Sequence, residues 1–347
     1  MKQTVVSLLL AMLMLGCSED VVVFKLIKPS WSSHPSFTLT NKVKFNSFTS
    51  GQSLFLYGPS YFSILKNDQA VHYVTYFDYP FGKKLPINDN FFVSTNNSFI
   101  GFWPVAQPDF AAATVYFDMK DYDKDFYKVN FDLSAGKENM SINNANQCLV
   151  PYYSNNPDNK ISLFLFDIGN LTAPYLYLKK GQRITINEPA NVFLGNVSYI
   201  KPIDNFFIVS TASSTYKILS NGTVQQIFTY KIDEAFKWAG EIYAVSKTSL
   251  IAKSADGGVT WNQFAGTPAL ATGTYYILGD SLVLNYNDAI FSAKFKLPSY
   301  SLRELKNDGL EGNLVTSVSG LNDSIYVTTY SGVYYKSRKG FFESKAN

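Results

Sequence analysis

The chain has 347 residues, a formal net charge of +3, and charged residues at 16%, below the usual roughly 25%. It contains no run of lysine and arginine, which argues against nucleic acid as the main partner. With only Cys17 and Cys148 as cysteines, no disulfide framework can carry the fold, and stability must come from packing.

The N-terminus reads as an export signal. Lys2 is followed by an apolar run of twelve residues, 4–15, too short to span a bilayer as a helix. Met14-Leu15-Gly16-Cys17 then resembles a bacterial lipobox, with Met14 where leucine is usual. The resemblance implies that residues 1–16 are a signal peptide. It also implies that Cys17 is lipidated, palmitate included, and becomes the first mature residue. Ser18-Glu19-Asp20 resembles the surface-export signal of lipoproteins in the Bacteroidetes group. A lipid of this kind anchors a protein to a membrane without a spanning helix. The expected address is the outer membrane, with the chain exposed at the cell surface. Residues 17–36, with Pro29, Pro35 and several serines, read as a tether. Residues 37–347 read as a single domain.

After the tether, strand signals dominate: short β-branched and aromatic runs bounded by Asn, Asp and Gly. Tyr and Phe, at 24 and 28 residues, suit strands. The best helical candidate is 231–240, and it is short. His72 falls in an alternating stretch, Val71-His72-Tyr73-Val74, as a surface or packed residue. Asp121-Tyr122-Asp123-Lys124-Asp125 carries the alternating aspartates of a calcium loop, with Asp132 at the twelfth position. Phe126 stands where the turn of such a loop needs glycine, and Lys124 sits among the would-be ligands. A solvated loop is therefore the better reading, and no metal or other cofactor is expected. Cys148, within Gln147-Cys148-Leu149-Val150, reads as a small hydrophobe in a buried strand and not as a nucleophile. Phe102-Trp103-Pro104 and Tyr152-Tyr153 read as the exposed aromatic clusters.

The strand runs repeat. Ile242-Tyr243-Ala244-Val245-Ser246 aligns with Ile325-Tyr326-Val327-Thr328-Thr329 at an offset of 83, and Leu282 falls 40 residues beyond Ile242. Ile218-Leu219-Ser220-Asn221-Gly222 aligns with Ile64-Leu65-Lys66-Asn67-Asp68 at an offset of 154. A period of about 40 is that of propeller blades. Repeat-starting strands near 52, 90, 147, 205, 241, 280 and 323 give seven blades, with six and eight as alternatives. Ring closure is open between the two termini, and 341–344 pairing with 37–45 is one form of it.

Ser254-Ala255-Asp256-Gly257-Gly258-Val259-Thr260-Trp261 is the most specific motif. Asp-Gly-Gly supplies residues that accept positive φ and a carboxylate that can bond nearby N–H groups. Val259, Thr260 and Trp261 should resume a strand, and Trp261 should bury its ring between sheets. The stretch resembles the Asp-box, or bacterial neuraminidase (BNR) repeat, with Ser254, Asp256, Gly258, Thr260 and Trp261 as its structural residues. The resemblance implies an all-β fold, a β-propeller, with the motif at a hairpin turn. A degenerate copy spans 336–342, with Lys339 where Asp256 sits.

The Asp-box occurs in sialidases, which hold a carboxylate with three arginines. Here the only arginines are Arg183, Arg303 and Arg338, and Arg183 is followed by Ile184-Thr185, not Ile-Pro. Arg338, inside the degenerate box, should lie far from a central site. No catalytic residue is assigned. The expected role is a non-catalytic, lipid-anchored binding scaffold for a protein partner or an extracellular glycan. The alternative is a glycan-active hydrolase with two carboxylates near the axis.

Overall fold

The computed structural model describes residues 30–37, 43–58, 61–74, 87–95, 99–105, 115–129, 140–155, 160–168, 180–187, 197–267, 270, 272–286, 289–310 and 312–345. Residues 1–16, read as a signal peptide, together with Cys17 and Asp132, lie outside the described residues.

The regular structure among the described residues is almost entirely strand. After β1 (Ser32–Ser33), the first sheet holds β2 (Asn46–Ser50), β3 (Ser53–Tyr57), β4 (Tyr61–Lys66) and β5 (Gln69–Val74). The second holds β6 (Phe91–Thr95), β7 (Phe99–Pro104) and β8 (Val115–Asp118). The third holds β9 (Phe126–Val129), β10 (Ser141–Ile142), β11 (Gln147–Ser154), β12 (Lys160–Asp167) and β13 (Lys180–Asn187). The fourth holds β14 (Tyr199–Ile203), β15 (Phe206–Ser210), β16 (Thr215–Ile218) and β17 (Val224–Phe228). The fifth holds β18 (Glu234–Trp238), β19 (Glu241–Ser246), β20 (Leu250–Ser254) and β21 (Asn262–Ala265). The sixth holds β22 (Thr274–Leu278), β23 (Ser281–Tyr286), β24 (Ala289–Lys296) and β25 (Ser299–Glu304). The seventh holds β26 (Val315–Leu321), β27 (Ser324–Thr329) and β28 (Val333–Ser337), followed by the short helix α1 (Arg338–Phe341). Every pairing is antiparallel, and within the sheets sequence neighbours pair, except that β9 pairs β11 and β1 pairs β28. Asn67, Asp68, Asn146, Asp204 and Asn322 take positive φ at the tight turns, a conformation Asn and Asp tolerate.

Burial explains how the sheets are arranged. β15 (FFIVS) is buried at every position, and β19 and β27 are buried at all but their first residue. A strand without an alternating pattern is covered on both faces. The apolar clusters show what covers them, because each lies between two consecutive sheets. Phe55 and Phe62 of the first sheet meet Phe92 and Trp103 of the second. Phe102 of the second meets Phe166 of the third. Leu149 and Ile184 of the third meet Ile200 and Phe207 of the fourth. Ile208 of the fourth meets Ile242 and Ala244 of the fifth. Phe236 and Tyr243 of the fifth meet Tyr275 and Phe295 of the sixth. Val283 and Ile290 of the sixth meet Val318 and Ile325 of the seventh. Leu321 and Tyr326 of the seventh return to Leu54 and Leu56 of the first. The described sheets therefore form a closed cycle, in which none could bury its faces alone.

Four expectations need correction. The strands near 52, 90, 147, 205, 241, 280 and 323 each belong to a different sheet, yet most are second in their sheet, preceded by a more polar strand. Residues 231–240 hold the strand β18 and not a helix, because pairing with β19 overrides local propensity. Part of the segment read as tether is folded: Ser32 and Ser33 pair with Tyr335 and Tyr334 of β28, and Trp31 and His34 are buried. The ring is thus closed by β1 as the outer strand of the seventh sheet. The 341–344 segment does not make the closure, since Phe341 packs under Trp31 with ring centroids 5.9 Å apart and Ser344 bridges Leu305.

Candidate functional site

The first strands of the sheets face one another around an axis. β2 lies beside β26, β26 beside β22, β22 beside β18, β18 beside β14, and β14 beside β10. Unlike β15, β2 (NSFTS) is half-buried at every position, as expected of a strand facing water. The strands enclose a cavity of about 640 Å³ to which all seven sheets contribute. That size suits a small ligand.

The wall is mostly polar. Ser47 Oγ bonds Ser317 Oγ at 2.9 Å and Ser319 Oγ at 2.7 Å, and Thr49 Oγ1 donates to the Gly320 carbonyl at 2.7 Å. These bonds tie the first sheet to the last. Its charged residues are Asp89, Lys201, Asp204, Lys237 and Arg338. Lys237 Nζ engages the Asp204 carboxylate at 2.6 Å. Arg338 is the finding the sequence reading missed. Its position after β28 places it on the cavity rim, not remote from it. Gly279 and Gly320, distant in sequence, leave room for the guanidinium.

The Ser254–Trp261 motif is a closed structural knot at the β20–β21 turn. The Asp256 carboxylate accepts from Ser254 Oγ at 2.8 Å, Val259 N at 3.0 Å, Thr260 N at 2.9 Å and Thr260 Oγ1 at 2.6 Å. The Thr260 hydroxyl and N–H, then the Ser254 hydroxyl, hold this carboxyl far below the usual carboxylate range. Gly257 and Gly258 take φ of 72° and 80°. Gly258 N donates to Ser254 Oγ at 2.8 Å. Val259 to Trp261 do not resume a strand; β21 begins at Asn262, because the carboxylate holds the Val259 and Thr260 N–H groups in the turn. Trp261 packs edge-on against Phe228 of the fourth sheet at 5.0 Å, and Lys217 of that sheet donates to the Gly257 carbonyl at 2.6 Å. The knot thus staples two sheets. In the degenerate copy, Ser337 Oγ accepts from Gly340 N at 3.1 Å, so the serine keeps its role after the aspartate is lost. Since every Asp256 partner is local, Asp256→Ala should lower the melting temperature by a few degrees at neutral pH and leave the far-UV circular dichroism unchanged. The wild-type advantage should shrink in strong acid, because a depressed carboxyl loses its contribution as pH falls through its folded pKa.

The other sequence candidates are dispersed. Asp123 is buried, and its carboxylate takes the Tyr152 hydroxyl, an Arg183 contact at 3.4 Å and the Asp125 N–H at 2.9 Å. No group of three metal-binding side chains occurs among the described residues. Arg183, on β13, pairs with Asp123 and Asp125, and Arg303 donates to the Phe342 carbonyl, so the three arginines do not converge. Cys148 is fully buried, which pushes its thiol pKa far up. Phe102, Trp103 and Tyr152, read as exposed, are buried, because the inter-sheet clusters absorb them.

No protein-family model matches the chain, and no curated protein does. Solved structures do match. A virginiamycin B lyase from Staphylococcus aureus superposes with a TM-score of 0.55 at 10% identity, over 89% of this chain and 98% of that one. The WD40 domain of Neurospora crassa Pan2 gives 0.52 at 8% identity, over 88% and 94%. The chain is a β-propeller. The extracellular domain of the B. thetaiotaomicron protein BT4673 gives 0.54 at 10% identity, over 89% of this chain and 40% of that one. At such identities the likeness is one of fold, and this propeller's function has to be argued from its own cavity and surface.

Proposed function

We propose that this propeller has seven blades and is a lipid-anchored, non-catalytic binding module of a bacterial outer membrane, exposed at the cell surface, whose partner is a protein or an extracellular glycan. The observation that carries the reading is the open polar cavity at the axis, built from every sheet. The lipobox-like Met14-Leu15-Gly16-Cys17 supports the anchor, and the Asp-box resemblance supports the scaffold role. Of the two carboxylates on the cavity wall, Asp204 is engaged by Lys237, which speaks against a free acid pair for hydrolysis.

The anchor is tested by growing cells with labelled palmitate. The native chain should carry label and partition into detergent, whereas Cys17→Ala should lose both properties. Label retained in Cys17→Ala would refute lipidation there. Protease added to intact cells should digest the native chain; full protection would place it inside the envelope. Binding is tested by crosslinking on native membranes, where a discrete partner should be recovered with the native chain.

A further inference from the structure

We infer that the axial cavity binds a small hydroxylated organic acid whose carboxylate is held by the Arg338 guanidinium. This deepens the binding reading above and depends on it only for the premise that the ring is a binding module.

The Arg338 backbone N–H donates to the Asp323 carbonyl at 2.7 Å, at the β26–β27 turn. That bond fixes the start of α1 at the cavity rim. The side chain crosses two glycines: a Cβ on Gly320 would come within 2.9 Å of Nη2, and one on Gly279 within 3.8 Å of Nη1. Space at Gly320 is therefore a condition for this placement.

Arg338 is held in place but unpaired. Its guanidinium makes no hydrogen bond and no ion pair among the described residues. Five donors in a rigid fork face a cavity, and such a fork matches a carboxylate in bidentate fashion. The remaining charges favour an anion. Lys237 and Asp204 neutralise each other at 2.6 Å. Lys201 adds a positive charge to the wall and Asp89 a negative one, which leaves the Arg338 charge in excess. Field lines concentrate in a concave site.

Neutral donors decide the rest of the ligand. Asn46 uses Oδ1 to accept from Ser47 N at 2.9 Å, and its Nδ2 has no acceptor among the described residues. The Asn144 side-chain amide is likewise unengaged. Both line the cavity. Amide groups lining the same cavity as the fork suit a ligand with hydroxyls as well as a carboxylate.

The test is calorimetry on the full chain in detergent, with D-glucuronate as the probe and D-glucose and inorganic phosphate as comparisons. Glucuronate should bind saturably at one site, glucose should not, and phosphate should bind more weakly. Arg338→Gln should weaken glucuronate binding by about tenfold or more, the scale of a lost charged hydrogen bond. Gly320→Ala should weaken it through the guanidinium, and Arg303→Gln should leave it unchanged. Circular dichroism and melting of each variant separate lost binding from lost fold. Glucuronate affinity unchanged in folded Arg338→Gln would overturn the proposal. So would absence of binding at millimolar glucuronate, or phosphate binding as tightly as glucuronate. The readout is independent of lipidation and of crosslinked partners, so its failure is distinguishable from failure of the surface-module reading.

Discussion

Trp31→Ala should reduce unfolding stability by about 3–5 kcal/mol, the range for truncating a buried tryptophan. Trp31 is 3% exposed and belongs to the cluster that joins the sixth and seventh sheets. Its ring meets Phe341 edge-on at 5.9 Å, and Lys336 Nζ lies 5.7 Å from its centroid. The residues around it form a seam. Ser30 Oγ donates to Asp308 Oδ1 at 2.6 Å, β1 pairs with β28, and His34 N donates to the Val333 carbonyl at 2.8 Å. A cavity at Trp31 loosens the strand that closes the ring, so the loss should not be relieved by local collapse. Urea titration at neutral pH measures it. A change under about 1 kcal/mol would mean that the N-terminal strand is not needed for closure.

Lys44→Met should remove most of a rise in stability that the native chain shows above neutral pH, with burial at Lys217 and Lys336 supplying the remainder. Lys44 is fully buried. Its Nζ donates to Ser63 Oγ at 2.9 Å, and Ser63 Oγ lies 2.8 Å from His72 Nδ1. His72 Nε2 lies 3.0 Å from the Ser36 carbonyl. That carbonyl can only accept, so Nε2 carries the proton and Nδ1 accepts from Ser63. Burial pushes the Lys44 amine down to about 7 from its ordinary 10.5. The sign follows from linkage. Between about 7 and 10.5 the unfolded chain binds a proton that the folded chain does not, so stability rises with pH through this window. The gain is on the order of 5 kcal/mol. Burial also lowers the His72 and His34 values, so both native chain and variant should weaken as pH falls below the ordinary histidine range. Urea titrations at several pH values from 6 to 10 check the difference. A variant that keeps the native slope above neutral pH would contradict the assignment to Lys44.

The parts of this fold that were legible in the sequence are those sandwiched between sheets. β3, β15, β19, β23 and β27 run as continuous apolar stretches because neighbours cover both faces. That is why their repeat could be read. The first strands carry no such signal. β2 (NSFTS) faces the wet axis, β10 is two residues long, and in the second sheet the equivalent is a single bridge from Ile87 to Phe92. The closing strand Ser32–Ser33 is short and polar, so it read as tether. The Asp-box turn was legible because its bonds are local, within residues 254–260. The cavity was not, because eight separate segments assemble it and none carries a charge pattern. Arg338 was misplaced for the same reason: its neighbours at Gly279 and Gly320 are distant in sequence.

The central claim is that the sheets stand in a ring whose last member touches its first. The most direct test is a disulfide across that junction in a Cys17→Ala background, with Cys148 buried and out of reach. Ser47 Oγ and Ser319 Oγ are 2.7 Å apart, which suits the geometry of a bridge. Ser47→Cys combined with Ser319→Cys should oxidise to a single intramolecular species that migrates faster on a non-reducing gel, while either substitution alone should not. If the double variant stays reduced under oxidant while folded, the first and last sheets are not neighbours and the ring is wrong.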